Sequence, residues 1–132
     1  MNAVTQFAPL VARILVAQIF LLSGIDKITG FAATAAGMAG KGIPLASVAL
    51  VITIIIEIGG ALMILLGWKA RIGAAALFLW MIPVTLLYHN FWDMPPEQVR
   101  IQMIMFQKNL AIMGATLYIF AFGSGAYSVK RD

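Results

Sequence analysis

Residues 45–66 read LASVALVITIIIEIGGALMILL, and Glu57 is the one charged side chain among them. As a helix this run is about 33 Å long, enough to cross a hydrocarbon layer of about 30 Å. Lipid offers the backbone no hydrogen-bond partners, so such a run must be a helix or a strand of a closed barrel. It does not alternate with period two, which removes the barrel. Residues 8–28, 72–88 and 101–123 pass the same test. The expected fold is all-α, an integral membrane four-helix transmembrane bundle with short loops, forming a single four-span domain over residues 1–132. Composition agrees: 11% of residues are charged, against about 25% in soluble domains. The lipid bilayer is therefore the first partner.

The same composition excludes several chemistries. Nine Lys and Arg stand against five Asp and Glu, but they sit singly at the ends of apolar runs, a pattern that sets membrane orientation and argues for no nucleic acid. Cysteine is absent, which removes disulfides, thiolate catalysis and iron–sulfur ligation. His89 is the lone histidine, too few for paired haem ligands or a closed zinc site. There is no haem, flavin or metal motif.

The connections carry information too. Gly67 to Arg71, GWKAR, is a tight turn that makes the second and third spans antiparallel neighbours. The Ala/Gly-rich link after the first span is either a short interfacial helix between Phe31 and Gly40 or a loop. Pro95 and Pro96 favour a helix start near Pro96, with Asp93 as its cap or first-turn charge. Arg13 interrupts the first run and no base precedes it, so that run reads as a mature helix rather than a signal peptide. Four spans place both termini on one side, with five bases there and four on the other, which favours cytoplasmic termini.

Three charges fall inside the hydrocarbon. A fourth span starting after Lys108 would be too short, so it starts near Ile101 and buries Lys108 and Asn109 about 10 Å below the boundary. By the same count Arg13 lies about 8 Å, and Glu57 about 13 Å, from the opposite boundary. Such charges face the bundle and pair, so an Arg13–Glu57–Lys108 cluster is expected, either as a lock on the bundle or as a binding site. At about 100° per residue, Arg13, Ala17, Phe20, Gly24 and Lys27 share a stripe. Thr53, Glu57, Gly60, Ala61 and Ile64 share another, and Lys108, Ala111, Ile112 and Ala115 a third. Asn109 either bridges helices or joins the site, and His89 is either interfacial or functional.

These residues carry a family resemblance. LVARILVAQIFLLSGIDKITGF, IIEIGGALMILLGW, YHNFW and FQKNLAIMGATLYIFAFGSGAYSV together resemble the DoxX family of small bacterial inner-membrane proteins. The family pattern falls on Arg13, Gly24, Lys27, Glu57, His89, Lys108, Asn109 and Gly114. The ending departs from it in one place: Lys130 stands where the family has Asp, and Asp132 lies further on. The resemblance implies a four-helix protein of the bacterial inner (plasma) membrane. It implies a subunit of a quinone-linked membrane oxidoreductase, with a quinone held by Arg13, Lys27, Glu57, His89, Lys108 and Asn109, and a soluble or membrane redox partner or a second copy of the chain beside it. The competing readings are a carrier or receptor for a small anionic or amphipathic ligand, and a non-catalytic scaffold.

Overall fold

A computed structural model describes residues 2–132. Helix α1 spans Ala3–Thr29, α2 Phe31–Gly40, α3 Ala46–Leu66, α4 Ala70–Tyr88 and α5 Pro96–Phe122, with one 3-10 turn at Phe91–Asp93. Four of the helices are long and apolar enough to cross a membrane. The link after α1 is helical: Gly30 closes α1 by donating to Asp26 O, and the Ala-rich α2 starts at once. Ten residues reach about 15 Å, half a bilayer.

Local chemistry sets the helix ends. The side chain of Asn2 accepts from Thr5 N at 3.0 Å and starts α1. Gly67 ends α3 at φ +67°, with its N–H on Ile64 O and that of Trp68 on Met63 O, a left-handed cap that suits glycine. Pro96 occupies the first turn of α5 as expected. Asp93 does not cap it: that residue is used in the 3-10 turn, Pro95 is the boundary residue, and Glu97 supplies the acidic charge of the first turn.

The helices pack as a chain of antiparallel neighbours, α1 on α3, α3 on α4 and α4 on α5, while α1 and α5 hardly meet. Missing side chains let the central pairs approach. A Cβ on Gly73 would stand 2.8 Å from Gly60 O, and one on Gly24 would stand 2.5 Å from Ile58 Cγ1. Close approach of this kind replaces the hydrophobic drive that lipid does not supply. The core around these contacts includes Ala17, Phe20, Ile64, Leu77 and Ile119.

The C-terminal tail folds back onto the end where α1 begins and α3 turns into α4. Val129 N donates to Leu66 O and Lys130 N to Gly67 O, satisfying carbonyls that α3 leaves open. Asp132, although displaced from the family position, reaches the start of α4 and accepts from Arg71 N at 3.0 Å. Arg13 is also committed here. It is 1% exposed, and it donates to Ile64 O, Leu65 O, Ala126 O and Tyr127 O at 2.9–3.4 Å.

Two outcomes follow from this packing. Gly73→Ala meets backbone and lowers stability in detergent by about 2–3 kcal/mol, Gly24→Ala meets a movable Ile58 and costs less, and Gly114→Ala, whose methyl meets nothing, changes little. Denaturation of the three variants side by side checks the order. Arg13→Met strands four carbonyls and makes the tail after Phe122 the first site of limited proteolysis.

Candidate functional site

The stripes on α1 and α3 are as expected: Arg13, Ala17, Phe20 and Gly24 are buried on one, and Thr53, Glu57, Gly60, Ala61 and Ile64 on the other. Their register is what the sequence does not reveal. With Gly24 seated against Glu57 and Ile58, Lys27 arrives opposite Glu57. Its Nζ lies 3.0 Å from Glu57 Oε1 and 3.3 Å from Oε2, and donates to Ser23 Oγ at 2.6 Å. The grouping of Arg13 with Glu57 is not formed. Arg13 bonds carbonyls of Ile64 and Leu65, about two turns further along α3. Glu57's cation is Lys27, which the expected Arg13–Glu57–Lys108 cluster does not include. The clue was its place on the Arg13 stripe.

On α5 the expected face is rotated by about one residue. The buried positions are Asn109, Thr116 and Ile119, and Lys108 is exposed. The cause is that α5 packs on α4 and not on α1. Asn109 therefore turns to α4, where its Nδ2 donates to buried Thr85 Oγ1 at 3.0 Å. Lys108 is left on the flank beside the gap to α1. Its nearest polar contact is Met105 Sδ at 3.7 Å. His89, just past the end of α4, places Nδ1 2.8 Å from Gln102 Oε1 of α5. Because that oxygen only accepts, Nδ1 is the donor in this contact.

Between these residues lies a cavity of about 430 Å³, in the size range of small-molecule sites. Lys27, Glu57, His89, Lys108 and Asn109 all line it; Arg13 does not. Its wall is mainly apolar, with Phe20, Met81 and Ile112 among its residues, and it includes Trp80, whose buried Nε1 has no hydrogen-bond partner among the described residues. Helix α2 contributes Thr34 and Met38. Just past its end, Lys41 ties the link to α4, with Nζ 3.4 Å from Leu87 O and 4.8 Å from the centre of the Tyr88 ring. The arrangement can hold a small amphipathic molecule, apolar along most of its length and met by donors at its polar end. Among the described residues no group of three His, Asp or Glu stands close enough to bind a metal ion.

The DoxX family model matches residues 8–90, from α1 to the end of α4. The chain belongs to the DoxX family. It is 36% identical over 122 residues to inner membrane protein YphA of Escherichia coli K12, a stretch covering 92% of this chain and 87% of that protein. It is 37% identical over 123 residues to inner membrane protein YqjF of the same organism, covering 92% and 88%. No solved structure matches the chain. Within this DoxX protein the ion pair of α1 and α3 lies inside the matched segment, whereas Lys108 and Asn109 lie beyond it.

The ion pair is testable by itself. Glu57→Gln or Lys27→Met alone strands a partner in a low-dielectric site and costs about 3 kcal/mol, the lower end for a buried pair because the Lys27 side chain stays 26% exposed. The double variant recovers most of that loss, as a double-mutant cycle in thermal denaturation would read.

Proposed function

We propose that this DoxX protein binds a quinone or a similar small amphipathic molecule in the cavity between its helices. The observation that carries the reading is an apolar cavity within the membrane-spanning bundle whose wall includes an ion pair, a free lysine and an unpartnered indole N–H. Apolar pockets with a few convergent polar groups are the usual form of small-molecule sites, and polar groups at this depth mark function more often than packing. The family resemblance directs the choice of head group to a quinone, whose two carbonyls accept what Lys108 and Trp80 donate. Arg13 has no part in binding, since it does not line the cavity and its terminal nitrogens are committed to backbone carbonyls. In the cell the chain lies in the inner membrane, as its two relatives are named for, with both termini in the cytoplasm.

Quinone titration of the purified protein in detergent, followed by tryptophan fluorescence and by extraction of co-purified lipid, tests this. Trp80→Phe weakens binding about tenfold, one hydrogen bond's worth, and Ile112→Trp, which fills the cavity, abolishes it. A protein that carries no quinone and shows no saturable titration rules the reading out. A ligand that binds and then crosses proteoliposomes would make the protein a carrier.

A further inference from the structure

The charges around the cavity bear on what its occupant carries, provided that it has one, as proposed above. Two lysines and one glutamate line it. The glutamate is spoken for, since both its oxygens lie within bonding distance of Lys27. Lys108 has no carboxylate partner among the described residues, and its single contact is a thioether sulfur, a weak acceptor. It lies twelve residues past Pro96, about 18 Å into α5, where an uncompensated ammonium is costly. It also stands where α5 faces the gap to α1, lining the cavity with Ile19, Phe20 and Lys27. Across the cavity, Ile19, Ser23, Lys27 and Thr34 are shared with an outer groove of about 490 Å³ beside α1 and α2, so the space continues to the outer surface of the bundle.

We infer that the occupant is an amphiphile with an anionic oxygen at its head, for which Lys108 is the counter-ion, while its apolar body lies against Ile19, Phe20, Met38 and Ile112. The ion then gains what the chain withholds from Lys108, a full negative charge in a low-dielectric site, where a charge-assisted hydrogen bond is about twice as strong as a neutral one. Glu57 is already neutralised by Lys27 and leaves no net negative charge for Lys108. Two classes of amphiphile carry the required chemistry: a fatty-acid carboxylate, and the ionised hydroxyl of an acidic quinone.

Matched pairs distinguish them. Decanoate is compared with decanol, and an alkylated hydroxynaphthoquinone with its methyl ether, in uncharged detergent at a pH where both acids are ionised. The anion of at least one pair binds about tenfold or more tighter than its neutral twin, and that pair names the source. Lys108→Met and Lys108→Gln both erase the difference, and Lys108→Arg keeps it. The side chain makes no structural bond, so these variants fold. A difference that survives in Lys108→Met overturns the inference. So does equal binding within both pairs by a protein that still takes up a neutral quinone, which would leave the cavity reading intact and Lys108 merely snorkelling. No binding of any of the four compounds would remove both.

Discussion

The seat of Gly24 against Glu57 and Ile58 sets most of what is distinctive in this molecule. Where two helices cross without a side chain between them, their axes approach and the relative slide is fixed. Here that slide puts Lys27 opposite Glu57 and, about four turns back along α1, Arg13 opposite the end of α3. One contact thus decides the partners of both bases. A different register would have placed Arg13 by the acid and left Lys27 at the surface, with the same residues and the same stripes.

The three intramembrane charges first read as one cluster have separate roles. Arg13 donates through both terminal nitrogens to four carbonyls and fastens the C-terminal tail to the ends of α1 and α3. A guanidinium suits this, because it presents five donors in a fixed plane. Glu57 is neutralised by Lys27. Lys108 alone is left with neither a carboxylate nor a carbonyl to bond among the described residues, and it is the one beside the open side of the bundle.

That open side explains the cavity. Helix α5 is held by α4, through Asn109 on Thr85 and Gln102 on His89, and hardly touches α1. A bundle closed on all four sides would pack its centre with side chains. This one leaves a space flanked by α1 and α5, with α2 contributing to its wall and the link after α2 tied to α4 through Lys41. The site is therefore a consequence of incomplete closure, and among the polar groups around it are the Lys108 ammonium and the Trp80 indole N–H, which no contact between helices consumes.

Much of the fold is legible in the sequence. Length and hydropathy determined the four membrane helices, because a bilayer imposes a minimum run and forbids unpaired backbone. Periodicity determined the buried faces of α1 and α3, because each is packed along its whole length. It failed on α5 by one residue, since a helix held on one side only does not bury the stripe that charge and small residues suggest. It could not separate helix from loop in the Ala/Gly-rich link, nor foresee that Asp132 would reach the start of α4 from beyond its family position. The pairings of Arg13, Lys27, Glu57 and Lys108 were decided by the tertiary structure alone. A sequence states which face a charge occupies, but the partner across it depends on how far one helix slides along another, and that is set by shape at the point of contact.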